Sequence, residues 1–408
     1  MSSSTAAGVG APTGPVVPRH VTTARTAVAV VFGLNGLALG SWFARVPAVR
    51  DALHLTAGQL GMLLLAMSLG AVLALPTAGV LVHRIGPPRA VAAGAVLVAA
   101  GLTVAGVATG VWGWVIAVGV GLCALGYGSG TCEVAMNVEA AAVERRLRRT
   151  VMPRFHAAWS VGTVAGAGIG AGTARAGIPV AVHLALIALL VAGGSLIAIR
   201  SFLPEADAGA DRGARPQRGG SGALRAWREP RTLLVGLLVL VMAFTEGTAN
   251  DWLAVAFVDG HEVSAAMGAA VFGVFVTAMT VGRTAGTVAL DRWGRVPVLL
   301  ATMVLAAAGA AVAVLAASLP LALIGVALWG LGTSLGFPVG MSAAADDEAR
   351  AAARVSVVAV IGYTAFLAGP PLVGLLGDRV GTLRALLVVP LIVLPALALV
   401  PATRPPRR

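Results

Sequence analysis

Long apolar runs separated by short polar breaks make up most of the chain. A membrane-spanning helix needs about 20 consecutive, mostly apolar residues, and the pattern supplies twelve such runs. The predicted spans are residues 25–45, 57–82, 89–109, 111–143, 151–174, 177–199, 231–257, 264–290, 296–317, 320–343, 354–377 and 383–402. We therefore predict an all-α membrane protein with twelve transmembrane helices.

One longer polar stretch divides the predicted spans into two equal sets. Residues 200–230 are rich in charged residues and glycine, which is typical of a flexible linker. The prediction is an N-terminal six-helix bundle at 25–199, a cytoplasmic linker at 200–230 and a C-terminal six-helix bundle at 231–402. Residues 1–24 and 403–408 are expected to be cytoplasmic tails, the first of them disordered.

Composition and charge support a membrane protein and predict its orientation. Hydrophobic residues make up 58% of the 408 residues and charged residues 11%, against about 25% charged in ordinary soluble domains. All basic residues are arginine, and arginine is retained on the cytoplasmic side of membranes. With both termini cytoplasmic, 23 of the 29 arginines lie inside and 5 outside. We therefore predict a multi-pass protein of a bacterial cytoplasmic membrane, whose net charge of +12 reflects topology and not nucleic-acid binding.

The two predicted bundles repeat each other at a nearly constant offset. The sequence Gly40-Ser41-Trp42 matches Asn250-Asp251-Trp252 at 210 residues, and Leu55-Thr56-Ala57 matches Val263-Ser264-Ala265 at 208. Further matches relate His83 to Gly86 with Asp291 to Gly294, and Leu125-Gly126 with Leu331-Gly332. Repeated halves in a membrane protein are typical of secondary transporters. We therefore predict two pseudo-symmetric halves.

Ionisable residues within the spans are the candidates for function, because a charge in a bilayer is costly unless it is paired or wetted. Glu133 lies on a glycine-rich helix with Asn137 one turn along, and we expect both to face a water-filled cavity. Glu246 and Asn250 form a second polar face. Arg283 is expected to neutralise a carboxylate, either Glu133 across the cavity or a group within the second half.

Two further residues within or beside the spans are assigned less definitely. His156 lies near the start of the fifth span and is a candidate for substrate or proton binding. Asp251 lies toward the outer end of the seventh span, where it either caps a helix or pairs with Arg45 as a gate.

Two loops resemble the signature of the major facilitator superfamily. Its motif Gly-x-x-x-Asp-Arg-x-Gly-Arg is similar to the sequence from Gly79 to Gly86, with His83 at the Asp position, and to the sequence from Asp291 to Arg295. The resemblance extends over nearly the whole chain and implies the fold of that family. The charged loop residues then become candidates for gating between the halves, namely Arg84, Asp291, Arg292 and Arg295.

Within that superfamily the chain resembles the fucose permease type of proton-coupled sugar symporter. The run from Gly128 to Asn137 is similar to that type's glycine-rich helix four, and the run from Gly282 to Thr287 is similar to its helix eight. The resemblance implies that Glu133 contacts sugar and proton. That type also has an Asp in helix one, where this chain offers Asn35.

No pattern typical of an enzyme competes with transport. The chain lacks lysine and therefore a phosphate-binding Gly-Lys-Ser/Thr sequence, and no His and Cys cluster has metal-ligand spacing. We predict a monomeric secondary transporter without cofactor or metal, whose partners are a small-molecule substrate, protons and the lipid bilayer. The favoured function is proton-coupled movement of a sugar or related polar solute by alternating access. An efflux antiporter for a small organic compound and a non-transporting membrane sensor are the alternatives.

Overall fold

The computed structural model describes residues 18–149, 151–204, 225–347 and 350–405, and its regular elements are all helical in these ranges. The first half contains α1 (Arg19–Ala52), α2 (Ala57–Val107), α3 (Val115–Leu147), α4 (Met152–Arg175) and α5 (Val180–Ala198). The second half contains α6 (Pro230–Gly260), α7 (Ala265–Trp293), α8 (Arg295–Leu315), α9 (Leu319–Thr333), α10 (Gly336–Ala344), α11 (Ala351–Val380), α12 (Thr382–Ala385) and α13 (Val388–Ala396). Short π-helical and 3₁₀ turns extend α2, α5 and α13 at Ala108–Trp112, Ile199–Ser201 and Leu397–Thr403.

These helices fall on the twelve predicted spans. Within the described ranges, ten helical stretches are long and apolar enough to cross a membrane, and two of these stretches each combine two short helices, α9 with α10 and α12 with α13. The helix α2 covers two predicted spans, because Gly86 leaves the helical region at φ 79° and ψ 160° and breaks it there. The helix α4 is a separate helix of 24 residues at the fifth span. The all-α membrane fold is confirmed, while the count of twelve membrane crossings stays a prediction.

The structure differs from the predicted spans most clearly at the first and the tenth span. The first helix begins at Arg19 and not at residue 25, because Val21 and Ala24 are buried and extend its packed face. The tail that we predict over residues 1–24 is therefore too long, and residues 1–17 lie outside the described ranges. The tenth span is two helices, α9 and α10, separated at Ser334 and Leu335. Most of the predicted linker, residues 205–224, also lies outside the described ranges.

The internal repeat is visible in backbone conformation. Gly86 and Gly294, which are 208 residues apart, both have positive φ, at 79° and 77°. In the loops of the opposite end, His54 and Glu262 are also 208 residues apart and both have φ 52°. Glycine and, less readily, polar residues tolerate this left-handed region. The same sharp turns thus recur at equivalent places in both halves.

Helix starts and core residues follow the same repeat. Thr56 caps α2 by accepting a hydrogen bond from the Gln59 amide, and Ser264 caps α7 by accepting one from the Met267 amide. Trp42 and Trp252, 210 residues apart, are both fully buried. We call the end with His54 and Glu262 the outer end and the opposite end the inner end, following the arginine-based prediction.

Candidate functional site

The polar face of α3 lies near the middle of that helix. Glu133 is 18 residues from Val115, which corresponds to about 27 Å along the axis. Its side chain is accessible to solvent, yet the number of protein atoms around it is as high as around a residue of the core. Both observations hold if the side chain lies in an internal, water-accessible space. Within the described ranges the Glu133 carboxylate has no hydrogen bond and no ion pair.

The side chain of Asn137 is hydrogen-bonded to the backbone of Glu133 on the same face. Its Nδ2 donates a hydrogen bond of 2.7 Å to the Glu133 carbonyl oxygen, one turn earlier in α3. The amide orientation is fixed by this bond, because a carbonyl oxygen only accepts. The side-chain oxygen of Asn137 therefore points away from the helix backbone as an acceptor.

Arg283 is paired within the second half. Its Nη2 lies 2.9 Å from Oε1 of Glu246, so the pair links α7 to α6. The two side chains are 28% and 15% exposed. The sequence leaves two possible partners for Arg283, Glu133 or a group in the second half. In the structure Arg283 pairs with Glu246 of the second half and not with Glu133. Asn250, one turn from Glu246, is half-buried.

Two predicted residues of the first half lie on helices that face Arg283 or its surroundings. His156 on α4 is exposed, interacts electrostatically with Arg283 and packs edge-on against Phe32 with ring centroids 5.3 Å apart. Asn35 on α1 is 5% exposed, and its side-chain oxygen has no hydrogen-bond partner in the described ranges. A buried amide oxygen without a partner costs about 1–3 kcal/mol. Asn35 therefore stands out as a buried polar group of α1 whose hydrogen-bonding capacity is not met.

An aromatic row of the second half includes a tyrosine within electrostatic reach of Glu133. Tyr363 on α11 interacts electrostatically with Glu133. Its ring lies 6.5 Å from that of Phe337 and 6.1 Å from that of Phe366, measured between centroids. The sequence identifies Tyr363 only as an aromatic residue within a span. Its interaction with Glu133 depends on how the two halves pack.

The expected pair of Arg45 and Asp251 does not form in the described structure. Arg45 is buried and donates instead to the hydroxyl of Thr173 at 3.1 Å and to the carbonyl of Ile178 at 2.8 Å. These acceptors lie at the end of α4 and in the following loop, where carbonyl groups carry partial negative charge. Asp251 is 7% exposed, and no hydrogen bond of its carboxylate is found in the described ranges.

The predicted loop gate of the inner end is also arranged differently. Arg84, Asp291 and Arg292 are exposed, and Arg292 lies over the Trp293 ring at 5.6 Å. Arg295 pairs at 2.6 Å with Asp346, a residue of its own half. Within the described ranges, Asp291 therefore has no hydrogen bond or ion pair to the first half.

Asp346 is the centre of an inner-end network that the sequence does not reveal. It accepts from Arg295 and, at 2.8 Å, from Arg231. Nearby, Glu229 accepts from Arg354 at 2.6 Å. These bonds join the beginnings of α6, α8 and α11 with the segment after α10, all in the second half.

The outer end carries bonds that cross between the halves. Arg50 at the end of α1 donates to both carboxylate oxygens of Asp259 at the end of α6, at 2.5 and 2.7 Å. Asp378 on α11 accepts from the Gly58 amide at 3.0 Å and from the Thr56 hydroxyl at 3.4 Å. The sequence contains one signal for the first pair, because Arg50 and Asp259 are 209 residues apart and therefore occupy equivalent positions of the repeat.

A cavity of about 620 Å³ at the outer end is separate from Glu133 and from the Arg283 pair. Its lining is mostly apolar and includes Met62, Ile116, Leu375 and Asp378, but not Glu133. In the described residues, no group of three or more His, Cys, Asp or Glu side chains is placed to hold a metal ion. The polar groups around Glu133 and the Arg283 pair are therefore the better candidate site for a small molecule.

Comparisons with known proteins agree with this architecture. The family model of the Major Facilitator Superfamily matches residues 27–289 and 252–408. An uncharacterized transporter of Sinorhizobium fredii, y4wD, is 33% identical over 368 residues, which cover 88% of this chain and 93% of that protein.

Solved structures share the fold at low sequence identity. One is a bacterial homologue of the human lysosomal transporter Spinster in an inward-facing, unoccupied conformation. Its TM-score is 0.73 at 14% identity, and the match covers 95% of this chain and 97% of the homologue. The fucose:proton symporter FucP of E. coli, in the outward conformation, has a TM-score of 0.63 at 17% identity and covers 95% of this chain and all of its own.

Proposed function

Because the chain belongs to the major facilitator superfamily and is a multi-pass transporter of that type, we propose that it moves a small polar solute across the membrane in exchange for, or together with, protons. The observation that carries this proposal is the Glu133 carboxylate, accessible and without a described partner halfway along α3. An ionised carboxylate at this depth is costly in free energy unless it is paired or hydrated. Protonation removes that cost, so Glu133 is suited to take up and release a proton during transport.

The described conformation suggests how access is controlled. Bonds from Arg50 to Asp259 and from the Gly58 amide to Asp378 hold the halves together at the outer end. Glu133 and His156 are accessible, and His156 lies only four residues from the start of α4 at the inner end. We infer an outer-closed state whose central site opens to the inner side, related to an opposite state by rocking of the halves.

The Arg283 pair supplies a second control within the site. Glu246 neutralises Arg283 in this state, so the second half contributes no net charge to the cavity from these groups. A ligand that binds Arg283 must displace Glu246, and the released carboxylate can then take up a proton. This exchange would couple ligand binding to the protonation state.

Uptake of a sugar or related polar solute is the first candidate, since FucP, a fucose:proton symporter, shares the fold. Efflux of a small organic compound is the second candidate. The row of Phe337, Tyr363 and Phe366 favours it, because this row offers an apolar, aromatic surface beside the carboxylate.

Transport by proteoliposomes tests the role of Glu133. Solutes that raise the unfolding temperature of the purified protein are loaded or offered under an imposed pH gradient, and flux is recorded in both directions. We expect Glu133→Gln to abolish pH-driven accumulation while the protein still exchanges solute. Glu144→Gln is the matched control, because Glu144 lies on the same helix but bonds to the amides of Val151 and Met152. Wild-type pH-driven flux in Glu133→Gln would refute the proposal.

A further inference from the structure

The face of α3 at the central site presents hydrogen-bond acceptors. The Glu133 carboxylate has four lone-pair positions and, when ionised, no donor. Asn137 uses one N–H of Nδ2 in its bond to the Glu133 carbonyl, which leaves its side-chain oxygen as an acceptor and its second N–H as a donor one turn away on the same face. Acceptors outnumber donors on this face, so a ligand that donates several hydrogen bonds fits it.

The cationic side chains inside the bundle are bound to other groups. Arg283 is bound to Glu246, and Arg45 to Thr173 and Ile178. Within the described ranges, the Glu133 carboxylate has neither an arginine partner nor a hydrogen bond. The Arg283 pair is neutral as a unit, so the ionised site carries one unbalanced negative charge at Glu133. Such a site attracts a cation and repels an anion.

The second half adds an aromatic surface to this acceptor face. Tyr363 lies close enough to Glu133 to interact with it electrostatically, and Phe337 and Phe366 pack beside its ring. A cation over an aromatic ring gains about 0.5–2 kcal/mol, more where water is excluded. Carboxylate, amide oxygen and ring together match an ammonium group with three N–H donors.

We propose that the transported solute is a small organic cation with a primary amine, held by Glu133, Asn137 and Tyr363. This inference rests on the proposed function and specifies its substrate class. When the amine enters with its charge, the carboxylic acid proton of Glu133 leaves to the water of the cavity, and the carboxylate then pairs with the ammonium. Amine and proton thus exclude each other at Glu133, and the coupled movement is an exchange.

Binding of matched compounds to the full chain in nanodiscs tests this inference. Each set contains an amine, a neutral compound and an acid on a similar skeleton: glucosamine, glucose and glucuronate; ethanolamine, ethylene glycol and glycolate; phenylpropylamine, phenylpropanol and phenylpropanoate. Binding is measured by calorimetry and by the rise in unfolding temperature. We expect at least one amine to bind and its acid to give no signal. Glu133→Gln should weaken the binding of that amine by more than about 30-fold, as expected when one partner of a buried charge pair is removed.

Variants around the carboxylate separate recognition from a general loss of structure. Tyr363→Leu removes the ring and should weaken amine binding about fivefold. Tyr363→Phe keeps the ring and should weaken amine binding less. Glu144→Gln should bind like the wild type. Binding confined to neutral or acidic compounds, unchanged amine affinity in Glu133→Gln, or no binding by any amine would overturn the inference.

The test also separates this inference from the proposed function. If Glu133→Gln loses pH-driven flux of a neutral solute, the proposed function holds and the substrate class is wrong. If an amine binds through Glu133 but proteoliposomes show no flux for it, the binding site holds and the transport function is wrong.

Discussion

At the outer end of the bundle, Arg50 bonds to Asp259 and Asp378 bonds to the Gly58 amide, and each of these bonds joins one half to the other. At the inner end, Asp346 holds Arg231 and Arg295 within the second half. A bond between halves must break when the halves rock, while a bond within a half is kept. If the halves rock as we propose, the outer bonds contribute to the balance between conformations, while the Asp346 network contributes to the stability of the second half.

The closeness of the helices also distinguishes the outer end. Gly61 on α2 lies against the Pro370 carbonyl of α11, and a Cβ on Gly61 would collide with that oxygen. Gly374 on α11 packs equally closely against Ala57. Small residues at such positions let helix backbones approach in a membrane protein. The outer end is thus closed by backbone contact as well as by charge.

The largest effect is expected at the inner end, where Asp346→Ala leaves Arg231 and Arg295 facing each other without a carboxylate. Asp346 is only 10% exposed. Removing one partner of a buried pair costs about 3 kcal/mol, so we expect a clear fall in the unfolding temperature in detergent. Asp291→Ala is the control, because Asp291 is exposed and has no described ion pair. Equal losses in both variants would contradict the comparison.

Gly61→Leu should open the outer end, because its side chain occupies the space taken by the Pro370 carbonyl. Overpacking costs about 1–3 kcal/mol, which predicts a fall of roughly tenfold or more in the ratio of the outer-closed to the outer-open form. Distances between spin labels at positions 54 and 262, on the two outer loops, measure this population. Gly172→Leu, where a side chain meets open space, should leave the distances unchanged. Unchanged distances in Gly61→Leu would show that backbone contact does not control closure.

Arg50→Gln should shift the same equilibrium in the same direction by a smaller amount. The pair with Asp259 is two-pronged, but the side chains are 19% and 27% exposed, so we expect about 1 kcal/mol, near the upper limit for exposed pairs. The spin-label distances at positions 54 and 262 should then show more of the open form, while the unfolding temperature changes little. The exchanged variant with Arg50→Asp and Asp259→Arg should restore closure if charge pairing is the cause. A lower unfolding temperature without a shift in distances would show that this bond stabilises the fold, as the inner-end bonds do, and does not control closure.

The smallest expected effect is the loss of stability at low pH that Glu229 at the inner end contributes. The hydrogen bond from Arg354 holds the pKa of Glu229 below its ordinary value. A lowered pKa in the folded state means that Glu229 stabilises the protein above the unfolded value of about 4.3 and loses this contribution as the pH falls through the folded value.

Unfolding temperatures measured from pH 5 to pH 3 check this expectation. Glu229→Gln should remove part of the acid sensitivity, by less than about 1 kcal/mol because Glu229 is partly exposed. Glu262→Gln, on an exposed outer loop, should keep the wild-type dependence. An identical acid dependence in Glu229→Gln would show that other carboxylates control the inner end.

The candidate site was only partly predictable. The cost of a charge in the bilayer identified Glu133, Glu246 and Arg283 from the sequence, and helix spacing put Asn137 on the face of Glu133. The choice of Glu246 as the partner of Arg283 was left open, because the two residues lie on different helices whose rotation the sequence does not specify. The proposed pair of Arg45 and Asp251 did not form, since Arg45 reaches acceptors at the end of α4.

The sequence by itself determined the helical membrane fold, the repeat and the turns at Gly86 and Gly294, because each depends on local hydrophobicity or on a local backbone preference. The tertiary structure alone decided which residues bond between the halves and whether Glu133 or Glu246 pairs with Arg283. Those properties rest on contacts between residues far apart in the chain, such as Arg50 with Asp259 and Gly58 with Asp378. Such contacts depend on the mutual rotation and tilt of packed helices, which a run of apolar residues does not encode.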